Sequence, residues 1–175
     1  MELPESHEEH GDNPFLVPVS VTISILAVLV AAVTLLSHRA HTEELLLQSK
    51  ATDQWSYYQA KNIQLREVQS IGDLLSALAP ADKQKAETLR EKYANEAERY
   101  AADKEDISKE ANNLESDSRL AGRKADRFDG GEGLLEIGLV ICSLTLLTKR
   151  RMYWIGGSLI GAGGIVMALT GFFVH

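Results

Sequence analysis

The sequence predicts an all-α membrane protein: three transmembrane helices, with a long antiparallel coiled-coil hairpin inserted between the first and the second. Three observations carry that expectation. Residues 15–36 and residues 153–174 are two stretches of 22 positions without a charge, each long enough at 1.5 Å per residue to cross about 30 Å of hydrocarbon. A third apolar run, residues 133–148, is broken only by Glu136. Between the first run and the third lies a polar segment rich in Ala, Glu, Lys, Gln and Leu, the composition of a long helix.

Taken in order, residues 1–14 form an acidic tail with five carboxylates and no Lys or Arg. A cleaved signal peptide would need a basic leader and a shorter apolar core. The run 15–36 is therefore expected to stay as transmembrane helix 1. Residues 37–128 are the extramembrane insert, residues 130–148 transmembrane helix 2, residues 149–152 (LysArgArgMet) a basic loop, and residues 153–174 transmembrane helix 3. The last two spans form a membrane hairpin.

The insert contains one internal proline, Pro80. A proline fits the first turn of a helix and not its interior, so a bend is expected near residues 79–82. In the second arm Tyr93, Ala97, Tyr100, Lys104, Ile107, Ala111, Leu114, Ser118, Ala121, Ala125 and Phe128 recur at alternating steps of four and three, a seam that demands a close helical partner. The first arm supplies one of matching length. Folding at Pro80 sets Leu75 opposite Ala86, Val68 opposite Tyr93, Leu65 opposite Ala97 and Trp55 opposite Ile107. Arms of roughly 40 residues would reach about 60 Å.

Two Trp, five Tyr and four Phe are all the aromatics of the chain, yet Trp55, Tyr57 and Tyr58 crowd into four positions. Trp55 and Tyr58 share the inner seam, with Tyr93 and Tyr100 on the other arm. Tyr57, about 100° round the helix, faces outward and is expected at a contact between subunits, where tyrosine is enriched. The segment ATDQWSYYQAKNIQ resembles the signature of a bacterial membrane family, domain of unknown function 4337, and LLTKRRMYW resembles that family's basic break between two C-terminal spans. The resemblance covers essentially the whole chain. It implies a helical protein of a bacterial membrane and brings no activity with it.

Candidate chemical sites are sparse. His7 and His10 flank Glu8 and Glu9, and His38 and His41 stand at helical spacing, but the pairs fall on opposite sides of a crossing helix. Two histidines are a thin ligand set, and HEEH is not the HExxH of a zinc protease; no metal and no cofactor are expected. Gly157, Gly161, Gly164, Ala168 and Gly171 form a small-residue stripe, as do Ser20, Ser24, Ala27, Ala31 and Thr34 in the first span. Such stripes let spanning helices approach closely, and both are expected at helix interfaces. Cys142, the one cysteine, permits no intramolecular disulfide. Glu132 and Glu136, one helical turn apart, are the ionisable candidates at membrane depth, although a helix N-terminus and the nearby interface would also accommodate them.

The net charge of −7 is a property of the tail, because residues 37–128 carry 17 acids against 15 bases. No basic patch marks a nucleic-acid partner. The short LysArgArg break is expected in the cytoplasm, which sends the hairpin to the periplasmic side of a bacterial inner membrane; the acidic leader and Arg39 argue the other way. With no nucleophile or acid–base motif, no enzyme is expected. The function read from the sequence is a homo-oligomeric scaffold, in contact with membrane lipid and with its own copies or another envelope protein. The alternative is an ion or proton conduit built on a ring of Glu136.

Overall fold

The computed structural model describes residues 15–78 and 82–174. Among them are three helices and no strand: α1 (Leu16–Ala77), α2 (Lys83–Thr148) and α3 (Arg151–Gly171). Each contains a stretch long and apolar enough to cross a membrane. Pro18 sits in the first turn of α1, where its missing N–H has no helical partner to lose. The tail with His7, Glu8, Glu9 and His10 lies outside the described residues, as does the expected bend except for Asp82. Asp82 begins α2: its carboxylate accepts the Lys85 backbone N–H at 3.0 Å, an N-cap.

The chain forms two compact units, one made of the residues up to Ala40 with those from Arg123 onward, the other of His41–Gly122. In the first unit α1 buries Val19, Leu26, Val33 and Ala40, at steps of seven, together with Ser37. Helix α2 meets it with Ala125, Phe128, Leu135 and Cys142, and α3 adds Ala168. Helix α3 buries only Gly157, Gly161, Gly164, Ala168 and Gly171. The small side chains set the distance: a Cβ on Gly138 would lie 2.8 Å from both the carbonyl oxygen of Gly157 and the backbone nitrogen of Gly161.

In the second unit the buried side chains are Ala51, Leu65, Val68, Ala86, Ile107, Ala111, Ser118 and Ala121. Hydrogen bonds across the two helical segments join residues whose numbers rise on one as they fall on the other. Ser118 Oγ donates to the Glu44 carbonyl at 3.1 Å, Trp55 Nε1 to Glu115 at 2.7 Å, Lys61 Nζ to Asp103 at 2.9 Å and Arg90 to the Leu75 carbonyl at 2.9 Å.

Between α2 and α3 only Lys149 and Arg150 are non-helical, so the four-residue basic loop shrinks to two and α3 already includes Arg151 and Met152. Lys149 makes the reversal with φ of 51°, the one positive φ on a described non-glycine residue, and its N–H reaches the Thr145 carbonyl at 2.8 Å. That is a left-handed helix cap on a residue with a Cβ. At its far end α3 stops at Gly171 rather than continuing to 174; Phe172 and Phe173 close it with N–H bonds to Leu169 and Thr170 at 3.2 and 3.1 Å.

Candidate functional site

The chemistry-bearing residues form three groups. The first lies in the membrane-competent unit, where α1 turns two hydroxyls toward two carboxylates of α2. Ser37 Oγ donates to Asp129 Oδ1, and Thr34 Oγ1 donates to Glu132 Oε1 at 2.6 Å. Asp129 and Glu132 are three apart on a helix and so share a face, as do Thr34 and Ser37; the four side chains make a polar clamp between α1 and α2. Glu136 does not join it. It is exposed, on the surface of α2 that carries Ile137 and Val140. The two glutamates expected to act together thus have separate environments. Ser143, seven residues beyond Glu136, is also exposed and donates to its own helix at Val140.

The second group is the glycine stripe of α3. The sequence places it at a helix interface, and that interface is internal to the chain. A Cβ on Gly157 would meet Cys142 Sγ at 2.6 Å, on Gly161 Leu26 at 2.7 Å, on Gly164 the Gly131 carbonyl at 2.8 Å and on Gly171 the Phe128 ring at 2.9 Å. The stripe is fully occupied by α1 and α2, and none of it is left for a second copy. In the stripe of the first span only Thr34 is engaged, in the clamp, while Ser20, Ser24, Ala27 and Ala31 are exposed. Ser20 and Ser24 return their hydroxyls to the carbonyls of Leu16 and Ser20, both at 3.0 Å.

One consequence of this close approach is an orphan. The hydroxyl of Thr145 is fully buried and has no hydrogen-bond partner. An isosteric Thr145→Val removes the unsatisfied group at constant volume, so the purified protein should gain about 1 kcal/mol. A thermal melt in detergent that drops by several degrees would show instead that the hydroxyl has a partner in the membrane.

The third group is the aromatic cluster of the hairpin unit. Trp55 and Tyr58 meet edge to face, centroids 5.5 Å apart. Trp55 donates to Glu115, two turns along α2 from Ile107. The reason is the lean of side chains toward the N-terminus of their own helix. On helices of opposite direction, those leans bring together residues whose numbers sum higher than the backbone register. Lys104 Nζ lies 5.3 Å from the Tyr58 ring and donates to Asn62 at 3.1 Å; Lys61 Nζ lies 5.1 Å from the Tyr100 ring and 5.5 Å from Tyr57. The lysine stems cover apolar surface while the ammonium groups sit over ring faces. Tyr93 is half-buried beside Lys92, and Tyr57 is 51% exposed.

The hydrogen bond from Lys61 to Asp103, assisted by the charge of that carboxylate, raises the lysine above its ordinary 10.5. A folded value above the unfolded one means that this contribution is complete below pH 10.5 and is lost only as pH climbs past the folded value. The pair is therefore insensitive to pH across the neutral range.

Sequence reasoning missed the polar clamp and the continuation of the α2 seam. After Phe128 the steps go on through Gly131, Leu135, Gly138, Cys142 and Thr145, all buried. The signal lay in similar three- and four-residue steps, hidden because two of the positions are glycine and because the step from Phe128 to Gly131 repeats a three. Among the described residues no group of three or more His, Cys, Asp and Glu is gathered for a metal ion.

The fold and these sites define a class: an all-helical chain with three helices long and apolar enough to span a membrane, the third packed on the others through glycine. The profile of one family, the domain of unknown function DUF4337, matches residues 15–174, and the chain belongs to that family. Neither a curated protein nor a solved structure matches it.

Proposed function

We propose that the chain is a non-enzymatic, homo-oligomeric scaffold of the bacterial inner membrane, carrying an antiparallel coiled-coil hairpin on three transmembrane helices. The observation that supports it most is the seam of α2, whose steps of three and four run from Tyr93 to Thr145, with one repeated step of three at Gly131, and whose positions are all buried or half-buried. A helix built this way serves to hold a position rather than to enclose a substrate. The cross-segment bonds from Glu44–Ser118 to Leu75–Arg90 support the hairpin. With Lys149, Arg150 and Arg151 at the cytoplasmic face the hairpin is periplasmic, by the usual bias of short basic loops. Its partners are lipid, further copies of itself and, at the hairpin, another envelope protein.

The exposure of Glu136 supports a second reading, a conduit in which several copies turn this carboxylate toward a common axis. The two are separated by the mass of the detergent-solubilised particle and by flux. The scaffold predicts a defined oligomer whose mass and negligible ion flux in proteoliposomes are unchanged in Glu136→Gln. A robust flux that vanishes in that variant supports the conduit, and a monomeric wild type removes both.

A further inference from the structure

Helix α3 is cut to the thickness of a bilayer. Its 21 residues, Arg151–Gly171, measure about 31 Å at 1.5 Å per residue, against about 30 Å of hydrocarbon. With Lys149, Arg150 and Arg151 at one surface, its last turn reaches the other. There it lies beside α2, because a Cβ on Gly171 would meet the Phe128 ring at 2.9 Å. Arg127 is thus at the edge of the apolar layer, and Arg123 stands one turn, about 6 Å, farther out.

At that level the two helices enclose a cleft of about 300 Å³, lined by Arg123, Asp126, Arg127, Met167 and Val174, all of them in one compact unit. The lining is of two kinds. Met167, lodged over Gly130 where a side chain would collide with it, and Val174 make an apolar floor that continues the α3 run. Arg123, Asp126 and Arg127 make an exposed, charged rim. The two arginines share a face of α2 at i,i+4 spacing, which opposes the helix until an anion sits between them. Two planar guanidinium groups one turn apart suit the several oxygens of a phosphate. The other features of the cleft call for a cation. Asp126 contributes a carboxylate, and α3 brings its carbonyl end, the negative end of its dipole.

We propose that this cleft holds the headgroup of one phosphatidylethanolamine molecule of the membrane, its phosphate at Arg123 and Arg127 and its ammonium at Asp126. The volume is at the small end for ligand sites, room for a headgroup and not for a helix. A zwitterion answers every charge in the lining. Phosphatidylglycerol would leave Asp126 unanswered beside an anion, and the methylated ammonium of phosphatidylcholine has no N–H to donate to the carboxylate. The acyl chains leave the cleft over Met167 into the hydrocarbon. The proposal rests on the reading of the chain as a membrane protein and identifies which lipid, among its partners, is held specifically.

In the test, full-length protein delipidated in detergent receives equal concentrations of phosphatidylethanolamine, phosphatidylglycerol and phosphatidylcholine, and the intact complexes are weighed by native mass spectrometry. Phosphatidylethanolamine should be retained at one molecule per chain, about tenfold more than either competitor. Arg123→Gln combined with Arg127→Gln should bring it down to the level of phosphatidylcholine. The same change of charge on the hairpin, Lys50→Gln with Arg66→Gln, should leave it bound. Asp126→Asn, isosteric and on the exposed rim, should abolish the preference and bind phosphatidylglycerol better than the wild type does. Glycerophosphoethanolamine, the headgroup without its chains, should not displace the lipid at equal concentration; displacement would make the ligand a soluble phosphoethanolamine and overturn the lipid assignment. A wild type that holds phosphatidylglycerol more tightly, or an arginine double variant that still holds phosphatidylethanolamine, overturns the site. The same spectra give the particle mass, so an oligomer without retained lipid defeats the site alone, and a monomer that retains it defeats the scaffold alone.

Discussion

Replacing Gly138 with valine separates α2 from α3. The added Cβ would sit 2.8 Å from two backbone atoms of α3 and 3.1 Å from the Cα of Gly161, and backbone, unlike a flexible side chain, cannot rotate aside. The helices must move apart, and each of the other near-contacts along the stripe then lengthens at once. In a bilayer this matters more than in water, because lipid tails are as apolar as the side chains and close approach is what favours association. The expected loss is about 3 kcal/mol, at the upper end for overpacking, read as a lower melting temperature of the purified protein in detergent. Gly133→Ala is the control on the same helix. No atom lies within 4 Å of that Cβ position, so this substitution should be neutral or gain up to about 1 kcal/mol from backbone entropy alone. Equal melting of Gly138→Val and the wild type would show that α2 and α3 do not touch there.

Trp55→Ala should be the most damaging single change in the hairpin, with a loss of about 3 kcal/mol. The indole is half-buried, stacks edge to face on Tyr58 and donates to Glu115 at 2.7 Å. Truncation removes the ring contact and leaves the carboxylate without its donor. Trp55→Phe separates these effects, keeping an aromatic face and losing only the hydrogen bond, and should lose about half as much. Hydrogen exchange is the suitable probe, since it reads the opening of this segment apart from the membrane helices. Amides of residues 51–65 and 104–118 should lose protection together in Trp55→Ala. Loss confined to the neighbours of residue 55 would mean that the tryptophan stabilises its own helix only.

Much of this was legible because the signals are periodic. The charge-free runs, the single internal proline and the seam from Tyr93 to Phe128 each specify a helix and one of its faces without reference to a partner. Periodicity also located the α3 stripe, but not what fills it. A stripe of glycines says that something approaches closely; whether that is a neighbouring helix of the same chain or of another depends on which helix folds back first. The basic break was read as four residues and is two, since Lys149 takes a left-handed conformation that only glycine or asparagine would have advertised.

The sequence by itself determined the helices and, for the α2 seam as far as Phe128 and the α3 stripe, the residues turned inward, because 3.6-residue periodicity and hydropathy act over a few turns of one helix. Tertiary structure alone decided what lies opposite. It sent Glu132 inward to Thr34 and left Glu136 outside, although they stand one turn apart on the same helix. It gave Trp55 a carboxylate for a partner, enclosed the α3 glycines, and left Ser20, Ser24, Ala27 and Ala31 of the first span exposed. Those outcomes depend on relative rotation and axial shift between helices, which are set by side-chain lean and by the distance that glycine permits. Neither quantity can be read from one helix at a time.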